Sequence, residues 1–275
     1  MLDSPLTADQ FRSRSADSSP VLEFQDISLT YESQGHKTTV LDRVSFAVER
    51  SQFISIVGPS GCGKTSLLRM VSGLLPVQQG NLNFQGEPIN GSLHSVGIAF
   101  QNPVLLPWRN TLQNILLPLE VVKPHKHQYR QKLPEYQQAA RELLATVGLE
   151  NFQKHYPWQL SGGMKQRASL CRALIHQPEV LLLDEPFGAL DAFTREDMWE
   201  MMQALWQRTQ CTAMLVTHDL REALFLSDVV YVMSPRPSNI VLELLVDLPR
   251  PRTMEMTFTD EFHHLYDRLR RHIQH

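Results

Sequence analysis

The chain has 275 residues, 42% of them hydrophobic and 20% charged, with a formal net charge of −3. That length can bury a sizeable core, and a balance so near neutral gives no electrostatic case for nucleic acid, which calls for a strongly basic face. Cys62, Cys171 and Cys211 are odd in number and lack metal or redox spacing, so they read as reduced thiols of a cytosolic protein, and no apolar run approaches the roughly 18–20 residues of a membrane span.

Residues 1–20 hold Asp3, Asp9, Arg12, Arg14 and Asp17 among serines with no apolar stretch, which predicts a disordered tail rather than a signal peptide. Residues 21–31 and 44–48 alternate as strands with one wet face. Residues 53–57, 180–183, 213–216 and 229–232 are short, nearly continuous apolar runs, as expected of parallel strands buried on both faces. Met198, Met201, Met202, Leu205 and Trp206 recur at helical spacing and read as core. Asp219, with Glu222 three residues on, predicts a capped helix start close to a capping box. Strand–helix alternation of this kind predicts an α/β fold with a parallel sheet. From about 102 to 177 the strand signal disappears. There residues 113–122 and 136–147 read as helices of an inserted subdomain, separated by a polar, proline-bounded stretch at 123–134. His125 and His127 in that stretch have no third ligand nearby and read as solvated loop residues. Phe258, Phe262, Leu265, Leu269 and Ile273 fall on one face of a closing amphipathic helix.

The chemistry starts at Gly58, Pro59, Ser60, Gly61, Cys62, Gly63, Lys64 and Thr65, which fit G-x-x-x-x-G-K-[ST] and are followed by Ser66. A strand precedes them and a helical run at 67–71 follows, the context of a phosphate-binding P-loop, which by itself leaves kinases, GTPases, helicases and transporters open. Glycines there let backbone N–H groups close around phosphate oxygens at a helix N-terminus. Lys64 is expected to bridge the β- and γ-phosphates, and the Thr65 hydroxyl to ligate Mg²⁺. Asp184 and Glu185 stand at the C-terminal end of a buried strand, where an α/β sheet presents ligand-binding groups. Asp184 is expected to hold the Mg²⁺ and Glu185 to polarise the attacking water.

Leu160, Ser161, Gly162, Gly163 and Met164, ahead of Lys165, Gln166 and Arg167, resemble the L-S-G-G-[QM] signature of the ABC ATPase family. The resemblance implies a P-loop NTPase core with a parallel sheet and flanking helices, an antiparallel β subdomain and a helical insertion, covering residues 21–250 ahead of an extension at 251–275. It implies that Ser161, Gly162 and Gly163 complete the ATP site of an opposite subunit in a head-to-tail dimer, either a homodimer or a pair with a similar ATPase. Gln101 matches the glutamine that senses Mg²⁺ and meets the membrane partner. Asp191, closing the run Gly188, Ala189, Leu190, matches a residue that communicates across the dimer. His218 matches the histidine that contacts the γ-phosphate, and Tyr31 the aromatic that stacks on adenine. Met164 stands for the commoner glutamine, and Thr65-Ser66 reverses the commoner order. Neither change removes a needed group.

Phe100 to Pro103, Leu105 to Trp108, Leu226 to Asp228, Met233 to Pro237 and Asp247 to Arg252 look like the nitrate, sulfonate, taurine and bicarbonate branch of importer ATPases. That branch implies uptake through a separate membrane permease at the cytoplasmic side of the inner membrane, fed indirectly by an external solute-binding protein. Importers of pyrimidine vitamin precursors share these features, and a soluble cluster-assembly ATPase would keep the same cassette, so both readings stay open. Leu105, Leu106 and Trp108 read either as a contact for the permease or as packing on the subunit's own core.

Overall fold

The computed structural model describes residues 19–33, 36–89, 91, 95–123 and 125–273, so all but the end of the expected N-terminal tail lies outside the described residues. In chain order the elements are β1 (Leu22–Ser33), β2 (His36–Val48), β3 (Phe53–Val57), α1 (Lys64–Val71), β4 (Gln79–Phe84), β5 (Glu87–Pro88), β6 (Val96–Phe100), α2 (Thr111–Val121), α3 (His125–Gln128), α4 (Leu133–Thr146), α5 (Gly162–Leu174), β7 (Val180–Asp184), α6 (Ala192–Thr209), β8 (Thr212–Val216), α7 (Leu220–Leu226), β9 (Val229–Met233), β10 (Ile240–Leu245) and α8 (Asp260–Ile273). The described residues gather into two compact units, one from those between 19 and 91 together with 212–273 and one from those between 95 and 211.

In the first unit β3 is buried along its whole length, because it pairs in parallel with β8 on one side and β9 on the other. β10 closes that side antiparallel to β9. A separate antiparallel sheet runs in the order β2-β1-β4-β5. Aromatic packing joins the two layers. The Phe46 ring stacks on Phe24 at 4.1 Å and meets Tyr231 of β9 at 4.7 Å. The Tyr231 hydroxyl donates to the Ala47 carbonyl at 2.9 Å, so its polar end is satisfied inside the core.

In the second unit β6 and β7 pair in parallel from Val96↔Val180 to Phe100↔Asp184, and α2, α4 and α5 pack on one another. Helix α2 starts at Thr111, ahead of the expected 113, because Asn110 and Gln113 form a reciprocal capping box, with N···O distances of 2.9 and 3.0 Å. Helix α4 starts at Leu133 rather than 136, with Pro134 in its first turn, where a missing N–H costs nothing. The proline read as a loop boundary is therefore a helix start. The stretch between them contains α3, and His125 is half-buried, its Nδ1 3.2 Å from the Tyr136 hydroxyl, rather than simply solvated.

At the C-terminal end, Phe262 and Leu269 of α8 are buried against Ala223 and Leu224 of α7, with Leu265 and Ile273 packed on the same cluster. Phe258 leaves the expected stripe. It ends the short 3₁₀ turn Met254–Phe258 and is 73% exposed. No helix among the described residues is long and apolar enough to cross a membrane.

The segment leading into α8 is fastened by Arg252, which is buried. Its guanidinium donates to the carbonyls of Leu224, Phe225 and Ser227 at 2.8, 3.1 and 2.7 Å, and to those of Val246 and Leu248 at 3.2 and 3.4 Å. Two of those carbonyls belong to the last turn of α7 and a third to its C-cap Ser227, where a helix leaves acceptors without intrahelical partners. Beside it, Arg250 pairs with Asp228 at 2.8 Å, and the other Asp228 oxygen accepts the Phe53 N–H at 2.9 Å. Arg252→Ala is expected to destabilise the fold by about 3 kcal/mol or more, since several buried carbonyls lose their donor at once. Urea unfolding checks this, and a loss below about 1 kcal/mol would show that the carbonyls find other partners.

Candidate nucleotide site

At the end of β3 the chain turns through residues 58–63 into α1. Lys64, only 6% exposed, donates from Nζ to the Gly58 and Pro59 carbonyls at 2.9 Å each. Pro59 also accepts the Cys62 N–H at 3.3 Å, and Gly63 accepts the Leu67 N–H at 3.1 Å. The ammonium is thus held inside the loop, where partial desolvation strengthens its pull on an anion. Gly63 caps α1 in a left-handed conformation, φ +108°. A Cβ there would lie 2.6 Å from Leu41 Cδ2, so both space and backbone demand glycine. The Cys62 thiol is buried, and burial pushes its pKa up.

Two further expected residues belong to this unit. Tyr31 on β1 is 43% exposed, and its hydroxyl lies 3.4 Å from the Ser66 Oγ in the first turn of α1. His218 follows β8, whose Val216 is paired with Ile56 of β3, so it emerges at the same sheet edge as Gly58. Thr217 anchors that turn. Its N–H reaches the Ile56 carbonyl at 3.3 Å, and its hydroxyl donates to the buried Glu222 carboxylate and accepts the Asp219 N–H, both at 3.0 Å. Asp219 does cap α7, accepting from the Arg221 and Glu222 N–H groups. The return bond expected from Glu222 runs through Thr217 instead of directly.

The second unit carries the carboxylates. The register Phe100↔Asp184 makes Gln101 and Glu185 emerge side by side from β6 and β7. Glu185 has φ +46°, a left-handed conformation that costs a side-chain-bearing residue about 1–2 kcal/mol and that recurs at functional sites. A Cβ on Gly188 would sit 3.4 Å from Gln101 Nε2 and 3.7 Å from Glu185 Oε2, so amide and carboxylate flank one bare glycine. Ser161 caps α5 by accepting the Met164 N–H at 3.2 Å. A Cβ on Gly162 would meet nothing within 4 Å, so this helix N-terminus lies open, while one on Gly163 would lie 3.0 Å from Thr194 Cγ2. Asp191 caps α6, accepting the Thr194 N–H at 3.1 Å and its hydroxyl at 2.7 Å. Those donors hold its carboxyl below the usual range. Along α5, buried Gln166 donates to the Phe100 carbonyl at 3.1 Å, tying that helix to the residue before Gln101.

The loop after Gln101 divides. Leu105 is buried and Leu106 half-buried, whereas Val104 and Trp108 are 61% and 70% exposed. Asn114 organises it and was not singled out in the sequence. Fully buried, it accepts the Leu106 N–H at 2.7 Å and donates to the carbonyls of Leu106, Arg109 and Asn110 at 3.1, 2.9 and 3.1 Å. The signal available was an asparagine set directly before the apolar run Ile115 to Leu117.

Residues 41–188 match the family described as ABC transporter. The taurine import ATP-binding protein TauB of Escherichia coli O157:H7 is 41% identical over 82% of this chain and 85% of its own. The bicarbonate transport ATP-binding protein CmpD of Synechococcus elongatus is 40% identical over 88% of this chain and 85% of its own. Among solved structures, the dimeric bacterial ABC transporter cassette MJ0796 superposes with a TM-score of 0.68 at 26% identity, covering 82% of this chain and 98% of that one. Its post-hydrolysis dimer bound to ADP and Pi gives 0.67 at the same identity and coverage.

Asn114→Ala is expected to free the loop it holds. Hydrogen–deuterium exchange at residues 104–110 should quicken at least about tenfold, as the Leu106 N–H loses its buried acceptor. Exchange at the wild-type rate would mean that the loop is held by other contacts.

Proposed function

Because the chain belongs to the ABC transporter family and is an ATP-binding, ATP-hydrolysing subunit of it, we propose that it is the motor of an importer that closes as a dimer around ATP. The observation that carries this is the pairing of two unlike anion sites in one chain: the cradle at residues 58–66 with its inward lysine, and the open N-terminus of α5 at Ser161, Gly162 and Gly163. One nucleotide does not need both. A head-to-tail pair uses each, with Ser161 offering its hydroxyl and the two glycines their backbone N–H groups to the partner's γ-phosphate. The dimeric cassette MJ0796 supports that assembly.

In this reading Gly58 to Ser66 bind the phosphates and Tyr31 stacks on adenine. Thr65, Asp184 and Gln101 bring a hydroxyl, a carboxylate and an amide oxygen, an all-oxygen set suited to Mg²⁺. That ion, when bound, neutralises phosphate charge. Glu185 orients the attacking water, Lys64 and His218 stabilise charge on the γ-phosphate, and Gln101 reports the state of the site to the loop that follows it. Asp191 communicates across the dimer. The relatives for taurine and bicarbonate favour a small anion as cargo, delivered by an external solute-binding protein to a permease, with this subunit on the cytoplasmic side of the inner membrane.

Glu185→Gln is expected to keep ATP binding while phosphate release falls by about 10²–10⁴-fold, the usual loss for a missing water-positioning group. Ser161→Arg should keep binding in dilute monomer and lose ATP-driven dimerisation, yet form heterodimers when mixed with Glu185→Gln. Loss of binding in monomeric Ser161→Arg would sink the shared-site reading.

The exposed Trp108, placed on a loop that Asn114 fixes close after Gln101, is the proposed handle for the permease, while Leu105 packs inward. Trp108→Glu is expected to leave melting temperature and basal ATPase near wild type and to abolish co-purification with the permease in detergent. A sharp fall in melting temperature would make the loop part of the subunit's own core.

A further inference from the structure

The P-loop is enclosed by two neighbours distant in sequence. The Val40 and Leu41 side chains of β2 press on Gly63. On the other side lies the turn that follows β9. The Met233 carbonyl would be 2.8 Å from a Cβ on Gly58. That turn is braced within itself, Ser234 N–H to the Asn239 carbonyl at 3.0 Å and Asn239 N–H to the Ser234 hydroxyl at 3.1 Å. It is clipped to β2 by Ser238 N–H to the Val40 carbonyl and Asp42 N–H to the Ser238 carbonyl, both at 2.9 Å. From this held turn Arg236 extends over the P-loop, and its Nε donates to the Gly61 carbonyl. Gly61 has φ +76°, a left-handed conformation that favours glycine, and a Cβ there would lie 2.8 Å from the end of the guanidinium.

We propose that Arg236 is a positioning residue of the ATP site, holding the Gly61 peptide so that the cradle keeps its shape while the bound phosphates are in place. The inference rests on residues 58–66 being the phosphate site. The two ends of the Gly61–Cys62 peptide unit point in opposite directions. Its N–H is committed to the Pro59 carbonyl at 3.3 Å, and its C=O points outward to Arg236. A charge-assisted bond to that carbonyl fixes the peptide plane, and keeps a carbonyl dipole from swinging toward an incoming anion. The guanidinium also brings a positive charge close enough to act on the Cys62 thiol, adding to the field that Lys64 supplies from inside. Its action is on binding, ahead of the chemical step.

The test is a titration of the full-length chain with a fluorescent ATP analogue, together with steady-state ATPase measurements, on wild type, Arg236→Gln and Arg236→Lys. In the glutamine variant Kd and KM should both rise about three- to tenfold, the net range of one hydrogen bond at a partly solvated site, with kcat at saturating ATP falling by less than KM rises. The lysine variant, which keeps the charge and one donor, should recover at least half of the loss on a logarithmic scale. Kd and KM within twofold of wild type in the glutamine variant, a fall in kcat at wild-type KM, or no recovery with lysine would each overturn the proposal. Failure of the wild type itself to bind the analogue would strike the P-loop reading first, a result distinct from wild-type binding that ignores residue 236.

Discussion

Backbone can hold a phosphate only if the carbonyls of the same loop are held elsewhere. The N–H and C=O of a peptide point in opposite directions, so every N–H turned inward sends a carbonyl outward, and an outward carbonyl in a crowded place needs a donor of its own. The loop at 58–63 meets that condition with one lysine, two backbone N–H groups and one arginine from a remote turn. Much of the first unit follows from it. Leu41, Met233 and Arg236 come so close to glycines 63, 58 and 61 that side chains there would collide with the walls supporting the loop. The parallel pairing of β3 with β9 brings Met233 and the turn of Arg236 to the loop, and the backbone bonds of Ser238 to β2 bring Leu41 beside it.

The second unit solves a different problem, aiming side chains at one place. Two adjacent parallel strands end in register, so the residues after them, Gln101 and Glu185, are neighbours in space although far apart in the chain. Glu185 takes a left-handed turn immediately afterwards, between the buried strand β7 and the fully buried Phe187. Preorganisation of this kind costs stability in the resting protein and removes the need for rearrangement during the reaction.

What the sequence made legible was local. The P-loop lies within nine consecutive residues, and the strands at 53–57, 180–183, 213–216 and 229–232 announced themselves by continuous apolar runs that only two-sided burial explains. β4, β5 and β10 were silent because these antiparallel strands bury little: β4 and β10 have one buried residue in six each, and β5 has none. The start of α2 carried a legible signal, Asn110 with Gln113 three residues on, that helical spacing alone passes over, and that of α4 was masked by a proline with two opposite meanings. Phe258 kept the helical spacing but fell before the helix began. Asn114, Arg252 and Arg236 were illegible for one shared reason. Each acts on backbone carbonyls, which carry no sequence signal, and for Arg236 the partner is 175 positions away. The roles of Ser161 and Asp191 came from family likeness, since periodicity alone shows two capped helices.

The bond from Gln166 to the Phe100 carbonyl has a mechanical consequence. Helix α5 is 13 residues long, a rod of about 20 Å, with Ser161 at its tip and Gln166 little more than one turn in. If the tip meets the nucleotide of a second subunit, its displacement passes to the backbone beside Gln101 through a helix and one buried hydrogen bond, with no slack segment between. A load placed on either end of this link is therefore felt at the other within the same rigid piece, as along a crank and not a tether.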